Sequence, residues 1–144
     1  MRIVDRNALV PYSADAMYAL VDDVESYPEF LPWCTAAELV SRDAGELVAG
    51  LTIGYGALNS RFTTRNKLSP PEQMTMELLD GPFSSLEGVW SFTQLGEQGC
   101  EVKLRVEFVF SSAVQDALFG STFERICNEL IDAFIRRAHD LYEG

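Results

Sequence analysis

Residues 114 to 142 carry apolar side chains at the three-and-four spacing of one helix face: Phe119, Phe123, Ile126, Leu130, Phe134, Ala138 and Leu141. Cys127, Ile131 and Ala133 widen the stripe beyond a coiled-coil seam. At 1.5 Å per residue, this predicts a helix roughly 40 Å long. A rod of that length needs an apolar partner equally long. Gly120 sits inside the run and, being about 1 kcal/mol worse than alanine in a helix, marks either a kink or a start.

The residues ahead of the helix supply that partner, because their apolar period is two. Leu47, Ala49, Leu51, Ile53 and Tyr55 share one face; Phe62, Thr64, Asn66 and Leu68 alternate with Arg61, Thr63, Arg65 and Lys67. Met74, Met76 and Leu78 follow, then Leu86, Trp90 and Phe92, then Val102, Leu104, Val106, Phe108 and Phe110 opposed by Lys103, Arg105 and Glu107. Turn residues separate the runs at 43–46, 56–59, 69–73 and 95–99. Residues 2–10 make a first strand that ends at Pro11, and Ser13 caps a short helix from Ala14 to Val21. These elements predict an α+β fold: a curved antiparallel sheet of about six to seven strands wrapped on a long C-terminal helix, with two short helices after the first strand. A sheet curled over one helix tends to leave a gap between them.

Nothing divides the chain. Its 144 residues, 47% hydrophobic, suit a single domain over residues 1–144 with one core. No segment approaches the roughly 20 apolar residues of a transmembrane helix, and the start lacks a signal peptide, so the cytoplasm is the expected compartment. Cys34, Cys100 and Cys127 fall in no metal or disulfide spacing and are expected as reduced thiols. The single histidine, His139, suggests no metal site and fits a late helical position. A formal net charge of −11 makes the chain a poor ligand for nucleic acid phosphates, which excludes DNA as a partner.

Between the first helix and the sheet lies VESYPEFLPWC, residues 24–34, with Pro28 and Pro32 among Tyr27, Phe30 and Trp33. Proline disfavours the α region in the residue before it, so Tyr27 and Leu31 are expected to be extended, with a short turn over Pro28, Glu29, Phe30 and Leu31. The segment reads as a rigid aromatic corner. It suits either a core plug or the lip of a pocket.

VPYSADAMYALVDDVESYPEFLPWC, FTTRN at 62–66, DGPFSSLEGVWSF at 80–92 and AFIRRA at 133–138 resemble, in this order, the START-like family of coenzyme Q-binding proteins. The likeness runs from about Ala8 to Tyr142 and is strongest to the family's bacterial ribosome association toxins. It implies a helix-grip fold and two kinds of role. One is non-catalytic holding of a polyprenyl quinone such as ubiquinone, in support of respiration, with no other cofactor; the other is binding of the large ribosomal subunit through protein contacts, blocking subunit joining. A polyketide cyclase-like enzyme is a lesser alternative from the wider superfamily. Trp33 departs from the glycine of the nearest group members and adds a ring to the corner.

A polyprenyl quinone needs a long apolar channel, rigid aromatic walls and few polar groups. The candidates are Tyr27, Phe30, Leu31 and Trp33 from the corner, Phe83 and Trp90 from the DGPF region, and Phe123, Ile126 and Leu130 from the helix. Thr64 and Asn66, if they face inward with Phe62, can hydrogen-bond a quinone carbonyl, which leaves Arg61, Arg65 and Lys67 as a basic strip outside. All the apolar candidates equally suit plain core packing. No catalytic residue is assigned, because Glu25 and Glu29 flank an exposed corner and Glu87 and Glu107 fall on outer faces. Subunit docking, if it occurs, is expected along Asp22, Asp23, Glu25 and Glu29. Transient contact with a membrane to exchange cargo stays open.

Overall fold

A computed structural model describes residues 1–143. Strand β1 (Arg2–Val10) leads to helix α1 (Ala14–Asp22) and a 3₁₀ helix (Val24–Glu29). Six strands follow: β2 (Cys34–Arg42), β3 (Glu46–Tyr55), β4 (Leu58–Ser69), β5 (Gln73–Asp80), β6 (Phe83–Leu95) and β7 (Gly99–Phe110). Helix α2 (Ala113–Tyr142) ends the chain. The strands form one antiparallel sheet in the order β1-β7-β6-β5-β4-β3-β2. Only β1 leaves sequence order, pairing with β7 from Arg2↔Phe108 to Val10↔Cys100. This is the α+β helix-grip arrangement.

Alternation decides which face of the sheet meets α2. Along β7, Cys100, Val102, Leu104, Val106, Phe108 and Phe110 are all buried, while Lys103 and Arg105 between them are exposed. Strand β4 obeys the same rule with Phe62, Thr64 and Asn66 inside. Strand β2 does not: after the buried Cys34 it is mostly exposed, as an edge strand with one free side can be. For that reason its apolar pattern is faint, and residues 34–42 carry no clear strand signal of their own.

Ring packing holds sheet and helix together in two groups. Phe123 of α2 lies 4.8 Å from Phe108 and 5.0 Å from Phe83 between ring centroids, with Phe62 at 6.0 Å. Further along the helix, Phe134 meets Trp90 at 5.2 Å, Phe30 at 5.1 Å and Tyr27 at 5.5 Å. Each fully buried ring contributes roughly 1.5–3 kcal/mol of transfer free energy, and well-placed ring pairs add about 0.5–1.5 kcal/mol. The turn before Phe83 has to lie flat on Phe62 for the first group to form. At Gly81, where φ is +151°, a Cβ would stand 2.7 Å from Phe62 Cβ, so the turn requires glycine.

Helix α2 starts at Ala113, with the Ser112 hydroxyl accepting from the Gln115 N–H at 3.1 Å, and runs unbroken through Gly120. The helix therefore does not start at Gly120. Glycine stands there because Arg2 crosses the helix at that point: its guanidinium reaches Asp116 at 3.0 Å and Glu124 at 3.2 Å, and a Cβ at 120 would lie 2.3 Å from Arg2 Nε. Arg6 repeats the crossing further along, on the Asn128 carbonyl and, at 3.6 Å, on Asp132. The first strand is thereby tied to the last helix.

The aromatic corner also differs from expectation. Tyr27 is not extended but belongs to the 3₁₀ helix, which begins at Val24 and contains Pro28. Tertiary contacts override the local preference, since the Tyr27 hydroxyl donates to the Val21 carbonyl at the end of α1 while its ring packs on Phe134. The Phe30 and Leu31 N–H groups then close on the Tyr27 carbonyl at 3.2 and 2.9 Å. Pro28 and Pro32 face solvent; Tyr27, Leu31 and Trp33 face the core.

Phe134→Ala removes the ring shared by corner, helix and sheet, and is expected to cost about 3–5 kcal/mol in urea unfolding. Phe30→Ala, at a half-buried ring, is expected to cost no more than about half as much.

Candidate functional site

Between α2 and the concave face of the sheet lies a cavity of about 80 Å³. Phe123, Ile126, Cys127, Leu130 and Phe134 of α2 form one wall. The sheet forms the other with Ala49 and Leu51 of β3, Phe62, Thr64 and Asn66 of β4, Met76 of β5, Leu86, Gly88 and Trp90 of β6, and Val106 of β7. Val24, Tyr27 and Trp33 from the corner close one end. The predicted candidates Tyr27, Trp33, Thr64, Asn66, Trp90, Phe123, Ile126 and Leu130 are thus brought together around one space.

Three predicted candidates lie elsewhere. Leu31 is 1% exposed and packs within the solid core under the corner. Phe30 turns outward over Phe134 and stacks beneath the Arg137 guanidinium at 5.1 Å. Phe83 is consumed by its ring contacts with Phe62, Phe108, Phe110 and Phe123. Conversely, Gly88 is a lining position that periodicity does not reveal. It faces Met76 across the β5–β6 pair, and a Cβ there would stand 2.5 Å from Met76 Cε, so its missing side chain leaves the methionine room to lie along the wall.

The space is smaller than a polyprenyl channel. Pockets for drug-sized ligands hold about 300–1,000 Å³, so about 80 Å³ admits at most a small ring while the walls stay as they are. Some walls are adaptable. Leu51, Met76 and Leu130 are partly exposed, so the cavity comes close to the surface at these positions. Methionine is the most deformable apolar side chain, and Met76 sits where the sheet begins to part. Pairing of β5 with β6 is confined to Gln73–Glu77 against Glu87–Ser91, whereas β5 follows β4 to Asp80 and β6 follows β7 from Phe83.

The lining carries little polarity. Tyr27 has its hydroxyl committed to Val21, and burial pushes the phenol well above its ordinary range. Burial likewise pushes the Cys127 thiol up to about 12 and the Cys34 thiol, just behind the corner, up to about 11. All three cysteines are free and buried. Thr64 and Asn66 remain, hydrogen-bonded to each other at 2.8 Å.

The outer surface is largely self-neutralised where the sequence suggested patches. Arg61 pairs with Glu38 at 3.1 Å, and Arg65 with Glu46 at 3.4 Å and Glu77 at 3.5 Å, so both arginines of the basic strip outside β4 are paired with carboxylates. On the acidic edge, Asp22 holds Arg42 at 3.0 Å and Glu29 holds Arg137 at 3.2 Å. Among the described residues, no helix is long and apolar enough to cross a membrane.

A model of the family described as polyketide cyclase / dehydrase and lipid transport matches residues 10–135. The chain belongs to this family. Its relatives include the ribosome association toxin RatA of Pseudomonas aeruginosa, 43% identical over 139 residues, 96% of either chain. A mitochondrial coenzyme Q-binding protein of Drosophila melanogaster is 31% identical over 135 residues, covering 91% of this chain and 56% of that one. Among solved structures, the Zhui aromatase/cyclase of a Streptomyces superposes with a TM-score of 0.84 at 20% identity, covering 96% of this chain and 93% of that one. At that identity the likeness speaks for the shared helix-grip fold alone.

The raised thiols have a consequence for stability. Cys127 and Cys34 titrate near 9 when unfolded but near 12 and 11 when folded. Their contribution is therefore complete below about pH 9 and falls as pH rises through the folded values, since only the unfolded chain then gains by ionising. The Tyr27 phenol adds a loss that starts near pH 10. Urea unfolding between pH 8 and about 11 is expected to show a decline in stability that is shallower in Cys127→Val.

Proposed function

We propose that this chain is a non-catalytic binder of a hydrophobic ligand, most specifically a polyprenyl quinone such as ubiquinone, held between the sheet and α2. What carries the reading is the lining of the cavity: rings and aliphatic chains, with Thr64 and Asn66 as its only buried hydrogen-bonding pair among the described residues. Burial of a methylated ring there contributes about 0.8 kcal/mol per CH₂-sized group before the costs of association. The isoprenoid tail leaves past Leu51, Met76 and Leu130, where the walls are half exposed. The likeness to a coenzyme Q-binding protein supports the same ligand class.

The non-catalytic part rests on chemistry. General acid–base catalysis needs a group that titrates near the working pH within reach of the substrate. No histidine, carboxylate or lysine is among the residues lining the cavity, and its one thiol is protonated at neutral pH because burial opposes its ionisation. The cyclase reading, brought by the superposed aromatase/cyclase, finds no such group to work with.

A second reading has its own support: near full-length identity of 43% to a ribosome association toxin. In that reading the chain contacts the large ribosomal subunit in the cytoplasm and prevents subunit joining. Glu25, an exposed acid of the Asp22–Glu29 edge with no cation partner among the described residues, then contributes to the contact with basic ribosomal protein. Both roles can belong to one molecule.

Both tryptophans of the chain, Trp33 and Trp90, line the cavity, so intrinsic fluorescence reports on it directly. Titration with a short-tailed ubiquinone analogue is expected to quench that emission saturably at one-to-one stoichiometry, and a strictly linear, collisional response would contradict the ligand reading. For the second reading, added protein is expected to shift sucrose-gradient profiles from joined ribosomes to free subunits, and Glu25→Lys to weaken the shift; an unchanged profile would end it.

A further inference from the structure

Thr64 and Asn66, 6% and 4% exposed, line the cavity, as do the indoles of Trp33 and Trp90 and the ring of Tyr27, whose hydroxyl is spent on the Val21 carbonyl. The hydrogens of Thr64 and Asn66 can be counted. Thr64 commits its single hydroxyl hydrogen to Asn66 Oδ1 at 2.8 Å. The Asn66 carboxamide has two N–H bonds to place, and the one partner of Nδ2 is the Met74 thioether sulfur at 3.6 Å, a weak acceptor. At least one N–H therefore meets no oxygen acceptor. Exchanging the amide oxygen and nitrogen makes matters worse, because Nδ2 then donates to Thr64 Oγ1 and the Thr64 hydroxyl hydrogen loses its acceptor too. The surplus is in donors whichever way the amide lies.

A buried N–H without an oxygen partner is costly, so a ligand that satisfies it gains over one that does not. The same lining excludes charge. It contains no cation to meet an anion and no carboxylate to meet a cation, so either would lose its hydration uncompensated. We infer that Asn66 Nδ2 is the recognition point of the cavity and takes one neutral oxygen acceptor, a ring carbonyl, of an otherwise hydrocarbon ligand. This rests on the hydrophobic-ligand reading above and adds the selection between a carbonyl-bearing ring and the same ring without oxygen. Thr64 acts through Asn66 as a positioning residue, holding the carboxamide so that its nitrogen, not its oxygen, is the free end.

The test uses duroquinone and durene, the same tetramethylated ring with and without its two carbonyls; full substitution of the quinone prevents addition of thiols such as Cys127. Binding is followed by the nitrogen-bound proton resonances of isotope-labelled full-length protein. Wild-type protein is expected to favour duroquinone by roughly tenfold, with the Asn66 side-chain amide protons moving downfield for duroquinone alone. In Asn66→Leu the preference is expected to disappear while durene binds at least as well as before. In Thr64→Val the preference is expected to survive in reduced form. Equal affinities in the wild type, an unmoved Asn66 amide at saturation, or a preference that persists in Asn66→Leu would overturn the inference while leaving the hydrophobic-ligand reading in place. If neither probe perturbs the Trp33 and Trp90 indoles, that reading falls and the inference falls with it.

Discussion

The structure depends on one contact, the ring stripe of α2 against the concave face of the sheet. Phe123 and Phe134 stand eleven positions apart, about three turns, and so present the same face to two separate ring groups. The first group fixes the turn at Gly81 and the ends of β6 and β7. The second fixes the corner after α1. Between these two anchor points the helix is held off the sheet, and the gap is lined by Thr64, Asn66, Gly88 and Cys127. The cavity is thus the space left between two well-packed ends, and its width depends on how firmly those ends hold.

That geometry explains how the corner is held in place. Its prolines are exposed and contribute by limiting the unfolded chain, while Tyr27 and Trp33 reach inward to close the cavity. Tyr27 joins α1 to α2, bonding to Val21 through its hydroxyl and packing on Phe134 through its ring. The arginines on β1 then set the angle of the helix from the opposite edge of the sheet. Arg2 passes close over Gly120, where a Cβ would displace its guanidinium.

Most of this was legible in the sequence wherever a periodicity was strong. The alternation in β7 and the inward set Phe62, Thr64, Asn66 need only the two-residue period, and α2 needs only its stripe. Edge strand β2 was not legible, because a strand exposed on most of its length has no apolar alternation to read. The geometry of Tyr27 escapes the sequence for a different reason: pre-proline preference is local, and a hydroxyl bond to Val21 together with a ring contact to Phe134 outweighs it. Aromatic identity alone also does not say which ring faces a space and which is used up by other rings. Phe83 and Phe123 look alike in sequence, yet only Phe123 reaches the cavity. The size of the cavity depends on distances between side chains that no pattern encodes.

We propose that the gap between the two ring groups holds a guest molecule. Native mass spectrometry of the protein taken from its own cells under mild conditions tests it most directly. A one-to-one adduct of apolar character is expected, which solvent extraction removes and added quinone restores. A spectrum containing only the bare chain, unchanged after incubation with quinones of any tail length, would contradict it.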